Sequence, residues 1–256
     1  MRGRAIRLSR PRRMVIDFLH FARALPTVPV QRRMNLAPVV AARAACRARP
    51  RWTTIFVKAI ALVSEEFAVL RRAYVKLPWP HLYEYPVASA TITFERDYDG
   101  APGLFAHLVK DPTRLALVEL DRQIRDVTTA PIEQVKSFRR SLWLAGLPLP
   151  LRRLIMGLGL NVGRQRGNYF GTFGLSVYSA LNAESLHPLA PLTSLWNYGV
   201  IAADGEVTVR VIYDHRVMDG ATVARILARL EDILKGPIVD ELVEVSGNAA
   251  SGASES

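Results

Sequence analysis

Tyr213-Asp214-His215-Arg216-Val217-Met218-Asp219-Gly220 is the stretch on which the reading of this chain turns. Before it, Glu206 to Tyr213 is rich in β-branched and apolar residues and predicts a strand. After it, the apolar spacing of Gly220 to Leu234 predicts a helix. A histidine at a strand end is held by the sheet while its ring projects into a cleft. Asp219 lies four residues on, in a turn tight enough to favour Gly220. Such an aspartate can fix backbone geometry by pairing with an arginine. A lone histidine is by default a ring satisfied within its surroundings, and His20, His81, His107 and His187 are read that way.

Outward from this stretch, Ser194 to Ala202 and Glu206 to Tyr213 predict a hairpin closed at Asp204-Gly205. Phe170 to Tyr178 predicts a further strand. Val87 to Arg96 alternates apolar and polar residues and predicts a strand, followed by the turn Asp97-Tyr98-Asp99-Gly100 and a second strand over Leu104 to Val109. Asp111-Pro112-Thr113 opens a predicted helix reaching Val127. Near the N-terminus, Arg12 to Ala24 reads as helix, ended by Pro26 and Pro29, with Val28 to Leu36 extended. Leu36 to Cys46 and Thr53 to Phe67 read as two more helices, the latter capped by Thr53 or Thr54. Pro131 to Gly167, rich in arginine, leucine, proline and glycine, is not assigned to elements. Mixed strands and helices without an internal repeat imply one α/β domain.

Composition narrows the function classes. Of 256 residues, 50% are hydrophobic and 22% charged, a globular balance that excludes a disordered chain. Cys46 is the single cysteine, which excludes an intrachain disulfide and fits a reducing compartment. The net charge is +11, and only Lys58, Lys76, Lys110, Lys136 and Lys235 of the 34 cations are lysines. The arginine bias fits phosphate binding, an acidic partner or an arginine-favouring genome. Outside an N-terminal group the arginines are scattered, without the one-sided patch and interleaved aromatics of a nucleic-acid module, so no nucleic-acid partner is expected.

Arg2, Arg4, Arg7, Arg10, Arg12 and Arg13 crowd the start, but Val15 to Leu25 is broken by Asp17, His20 and Arg23 and reads as an amphipathic helix rather than a signal core. Leu142 to Val162 comes nearest to a membrane span, yet Pro148, Pro150, Arg152 and Arg153 interrupt it. The readings left for it are a lid or packing segment, or a helix lying at a membrane surface with Arg139, Arg140, Arg152 and Arg153 near lipid phosphates. The default expectation is a soluble cytoplasmic protein.

His215-Arg216-Val217-Met218-Asp219-Gly220 resembles the HxxxDG signature of the chloramphenicol acetyltransferase superfamily. The longer DHRVMDGA form is most similar to the catalytic domain of the dihydrolipoamide acyltransferase subunit of 2-oxo acid dehydrogenase complexes. Gly171-Thr172-Phe173-Gly174-Leu175-Ser176 resembles that family's GTFTIS/T strand, and His187-Pro188-Leu189-Ala190-Pro191 to Val200-Ile201 resembles the segment that follows it. Thr54 to Val63 is similar to its first long core helix. The resemblance spans about residues 10 to 236 and is strongest after residue 160.

The resemblance implies an α/β fold with a mixed sheet flanked by helices, and a trimer with the site at the subunit interface. It divides the chain into a basic arm (1–13), an acyltransferase catalytic domain (14–245) and a disordered tail (246–256). It implies direct acyl transfer from a thioester without a covalent acyl-enzyme. His215 becomes the general base and Ser176 the hydroxyl that hydrogen-bonds the oxyanion, with Ser179 and Thr172 as alternatives. Asp219 becomes structural, paired to an arginine for which Arg13 is the candidate. Acyl-CoA is implied as co-substrate, with no permanently bound cofactor and no metal.

Two departures from the family bear on function. None of the five lysines sits in an acidic-Lys-Ala hairpin that would receive lipoate. Pro131 to Gly167 does not match the family pattern, and its position just before Ser176 suggests that it lids or lines the acyl or acceptor site. The leading expectation is a stand-alone acyl-CoA-dependent acyltransferase acting on a small molecule. The alternatives are a core subunit of a 2-oxo acid dehydrogenase complex with the lipoyl group on another chain, and a non-catalytic trimeric scaffold.

Overall fold

The computed structural model describes residue 1, residues 3–177 and residues 183–251, the last five by backbone alone. Its strands are β1 (Thr27–Asn35), β2 (Arg72–Val75), β3 (His81–Glu84), β4 (Ser89–Tyr98), β5 (Ala101–Lys110), β6 (Phe173–Leu175), β7 (Ser194–Tyr198) and β8 (Glu206–Asp214). Six of them form one mixed sheet in the order β1-β8-β7-β6-β4-β5, and β2 pairs with β3 in a separate ribbon. β6 runs parallel to both its neighbours, while the other pairings are antiparallel.

Alternation along the strands explains which face is covered. Val207, Val209, Val211 and Tyr213 of β8 share a face with Trp196 and Tyr198 of β7, and with Phe173 and Leu175 of β6; all are buried in the main core. The helices α1 (Arg10–Ala22), α2 (Ala37–Ala45), α3 (Trp52–Glu66) and α4 (Leu117–Thr129) precede β6, as do α5 (Lys136–Gly146), α6 (Leu149–Asn161) and α7 (Gly163–Tyr169); α8 (Gly220–Lys235) and α9 (Pro237–Ser251) follow β8. α3 and α8 pack on each other over the covered face. α8 supplies Val223, Ile226, Leu227, Leu230, Ile233 and Leu234, the i, i+3, i+4, i+7 stripe that its sequence announces.

Several elements depart from expectation for identifiable reasons. Neither Thr53 nor Thr54 caps α3. The N-cap is Arg51, and the Thr54 hydroxyl is buried and donates to Asp121 Oδ1 at 2.7 Å. The helix expected from Asp111 is split into a 3₁₀ turn over Pro112–Arg114 and α4. Lys58 Nζ donates to the Thr113 and Leu115 carbonyls at 2.9 and 2.5 Å, drawing off acceptors that a continuous helix would have used internally. The β4–β5 turn tightens to Asp99-Gly100, both with positive φ (55° and 73°), as a two-residue hairpin turn requires. β6 spans only Phe173–Leu175 of the strand expected over 170–178, and Tyr178 lies outside the described residues. The expected tail, 246–256, overlaps α9 as far as Ser251, a helix seated by buried Ile238 and Leu242; residues 252–256 lie outside the described ones.

Candidate active site

The two candidate residues sit well apart along the sheet. At the C-terminal end of β8 the chain delivers His215. The Asp214 N–H donates to the Thr193 carbonyl at 2.8 Å and the His215 N–H to the Pro26 carbonyl at 3.0 Å, so both neighbouring segments grip the backbone on either side of the ring's attachment. The His215 side chain is 49% exposed, and its ring lies 5.6 Å from that of buried Tyr213. Nδ1 faces Asp219 Oδ1 at 3.5 Å, which is longer than a hydrogen bond. Nδ1 is thus the ring nitrogen nearer Asp219. Asp219 is the N-cap residue of α8 with no side-chain cap bond, and its carboxylate is 83% exposed. Burial, helped by the Asp219 charge, pushes the Tyr213 phenol up and keeps it neutral.

Arg13 does not pair with Asp219; its Nη1 donates to the Ala145 carbonyl at 3.4 Å. The aspartate–arginine pair that shapes the turn is Asp214–Arg216. Asp214 is fully buried. Its Oδ1 accepts from the Arg216 N–H at 3.1 Å and from Nε at 2.9 Å, and its Oδ2 accepts from Nη2 at 2.6 Å. The Arg216 guanidinium stacks over the Tyr74 ring at 4.3 Å. Nor does the turn require Gly220, since a Cβ there would meet only the Tyr213 hydroxyl at 3.5 Å, an ordinary contact. Sequence reasoning missed Arg166 here. It is buried, donates from Nη1 to the Leu160 carbonyl at 3.3 Å, and leaves Nη2 without a partner. Burial lowers its pKa, against the raising effects of Tyr85 and Asp214, while Arg216 lowers it further. Asp214 is thus paired with Arg216, while the buried charge of Arg166 lies within electrostatic reach of it. The default reading of the other histidines holds for His107, which meets Ser137 Oγ at 3.1 Å, and for His187, whose Nε2 meets Thr27 Oγ1 at 3.1 Å.

Ser176 lies further back, level with the middle of β4 and β8. Leu175 is level with Trp196, and Trp196 with Val211, so Ser176 is level with Asn197 and Arg210. Its N–H donates to the Trp196 carbonyl at 3.0 Å, and its side chain is buried. His215 is five residues further along β8, about 16 Å at roughly 3.3 Å per residue. One chain therefore cannot bring Ser176 and its own His215 to one carbonyl. Of the alternatives, Thr172 is occupied: its hydroxyl donates to the Ser89 carbonyl at 3.2 Å and accepts from the Ser89 N–H at 3.0 Å. Ser179 lies outside the described residues. Gly171 has φ +76°, and a Cβ there would lie 2.7 Å from the Ser89 carbonyl oxygen, so the strand leading to Ser176 depends on this glycine.

Beyond Leu175, β6 ends while β4 continues, and the gap is a cavity of about 320 Å³. Thr93 to Arg96 of β4, Thr53 of α3, Thr128 of α4, Leu175 and Val177 line it. Arg96 is committed to the end of α4, donating to the Thr128 and Ala130 carbonyls at 2.7 and 3.1 Å. The Thr53 hydroxyl is 3.4 Å from that of Tyr198, whose burial pushes its pKa up to about 12. No residue of 131–167 lines this cavity. Among the described residues no cluster of three or more His, Cys, Asp or Glu residues is placed to hold a metal.

The mixed sheet flanked by helices is the fold of chloramphenicol acetyltransferase-like proteins. The chain is similar in structure to a dihydrolipoamide acetyltransferase from Azotobacter vinelandii (TM-score 0.66, 18% identity, 92% of each chain), studied for the roles of a serine, a histidine and an asparagine in catalysis. It is also similar to a probable dihydrolipoamide acetyltransferase from Listeria monocytogenes (TM-score 0.65, 13% identity, 94% of this chain and 95% of that one). A chloramphenicol acetyltransferase matches with a TM-score of 0.56 at 12% identity, over 87% of this chain and 95% of that one. No protein-family model matches the chain, and no curated protein matches it by sequence.

Proposed function

We propose that the protein transfers an acyl group from a CoA thioester to a small-molecule acceptor, in sites shared between the subunits of a cytoplasmic homotrimer. The observation that carries this reading is the separation of Ser176 from His215 along the sheet. Each residue has a role in acyl transfer, but only a second copy can bring the two together. His215 Nε2 takes the proton from the acceptor thiol, hydroxyl or amine as that atom attacks the thioester carbonyl. Ser176 of the neighbouring subunit donates a hydrogen bond to the tetrahedral oxyanion. The intermediate collapses with breakage of the carbon–sulfur bond, and the CoA thiolate takes the proton back from His215. Asp219 is a positioning residue. Its carboxylate stands on the Nδ1 side of the ring, 3.5 Å away. The cavity lined by Leu175 and Val177, which flank Ser176 in sequence, leaves room for an acyl or pantetheine chain.

Subunit complementation tests both halves of this reading. His215→Ala and Ser176→Ala should each abolish most thiol release from acyl-CoA. Mixed and allowed to exchange subunits, the two inactive proteins should recover about a quarter of wild-type activity, because a quarter of random interfaces pair an intact histidine with an intact serine. No recovery from demonstrably mixed trimers would refute the shared site. Wild-type protein inactive with every acyl-CoA but active with dihydrolipoamide would favour the second reading, a dehydrogenase-complex subunit served by a lipoyl group on another chain. The likeness to dihydrolipoamide acetyltransferases supports that second reading.

A further inference from the structure

α6 is turned inside out. Leu151, Leu154, Ile155 and Leu158 fall at i, i+3, i+4 and i+7 and form one face, and all are exposed, Leu154 by 58%. The opposite face turns a charge inward. Arg152 is buried and its Nε donates to the fully buried Asp17 of α1, with Arg153 Nε 3.3 Å from the other Asp17 oxygen. Lipid phosphates therefore are not the partners of Arg152 and Arg153. A helix that only packs on its own domain puts leucines in and arginines out. This one buries Met156 and Leu160 together with an ion pair, yet leaves Leu151, Leu154, Ile155 and Leu158 outside, which marks that face as an interaction surface.

The surroundings say what covers it. Between Glu133 and Glu184 the chain has seven lysines and arginines and no carboxylate. Arg139 and Arg140 are exposed on α5, and Arg164 is exposed just past the end of α6. Trp143 of α5 is 62% exposed. Leu77 bridges to Val162 and its N–H donates to the Asn161 carbonyl at 3.1 Å, which places the β2–β3 loop with exposed Trp79 at the C-terminal end of α6. A leucine face fringed by arginines and flanked by tryptophans matches the layering of an anionic lipid surface: acyl chains inside, headgroup interface next, phosphates outermost. A second copy meeting this face with its own would set arginine against arginine. No described helix is long and apolar enough to cross a membrane, so the contact is peripheral.

We propose that the outer face of α6, with the cations and tryptophan of α5, docks the protein on an anionic membrane surface. The inference is independent of the acyl-transfer reading. The test is co-sedimentation of the full chain with phosphatidylcholine vesicles containing about a third phosphatidylserine. Binding is expected, weaker at high salt, and reduced about tenfold or more in Leu154→Glu/Leu158→Glu. Circular dichroism and oligomeric state are measured on the same variant. Quenching of tryptophan emission by brominated acyl chains, read on the unaltered protein, gives a result that no folding defect can produce, and quenching is expected. A wild-type chain that stays in the supernatant unquenched overturns the proposal. So does a double variant that binds as tightly as wild type, and so does one that breaks an oligomer, which would make the face a contact between copies.

Discussion

The His215 and Ser176 regions of the central sheet are built differently. At the His215 end the Asp214, His215 and Val217 N–H groups are tied down, and buried Asp214 holds Arg216. At the Ser176 end the sheet splits, because β6 stops at Leu175 while β4 runs on to Tyr98. One end fixes a ring in a preset orientation, and the other opens a space. That division suits a reaction in which a base must be aimed while a flexible acyl chain must be admitted. It also means that neither end is a complete site.

The largest expected effect is on the aimed end. His215→Ala should lower acyl transfer about 10²–10⁴-fold with the oligomer intact, because only the proton-accepting nitrogen is lost. A drop of less than tenfold in a thiol-release assay would mean that His215 holds the turn rather than takes the proton. Asp214→Ala attacks the same end through its scaffold. It strands the part-buried Arg216 guanidinium, and urea denaturation should show a loss of about 3 kcal/mol. An unchanged midpoint would show that the Arg216–Tyr74 stack holds the turn by itself.

Ser176→Ala sharpens the comparison from the open end. Transfer should fall about 10²–10³-fold through kcat, with KM for acyl-CoA nearly unchanged, since the hydroxyl acts on the oxyanion and not on the bound thioester. A variant that raises KM alone would reassign Ser176 to the wall of the cavity.

How much of this was legible in the sequence follows from what each element depends on. The strand, turn and helix around His215 could be read because period-2 and period-3.6 patterns abut there. The parallel insertion of β6 between β4 and β7 could not be read. Pairing is a tertiary property, so Gly171 to Ser176 gave the candidate residue but not its distance from His215. The partner of Asp219 was misassigned because arginine pairing depends on which segments meet in space; Asp214, one residue before the histidine, holds the arginine instead. α6 resisted because its pattern is helical but reversed. An apolar stripe in sequence is normally taken to face the core, and here it faces out.

The smallest effect expected is a pH dependence rooted in the open end. Asp121 of α4 is buried, which by itself would raise its pKa. The Arg51 N–H, Arg125 and the Thr54 hydroxyl donate to its carboxylate and together bring the pKa below the ordinary aspartate value. These bonds tie the first turn of α3, and with it Thr53 on the cavity wall, to α4. A carboxylate depressed in the folded state contributes stability that is fully present above its unfolded pKa of about 3.9. That stability is lost as pH falls from there through the lower folded-state value. Asp121→Asn should therefore lower the melting temperature near neutrality, and the gap to wild type should close as pH drops below about 4. A gap that stays constant into acid would mean that shape and hydrogen bonding at position 121, rather than its charge, keep α3 against the cavity.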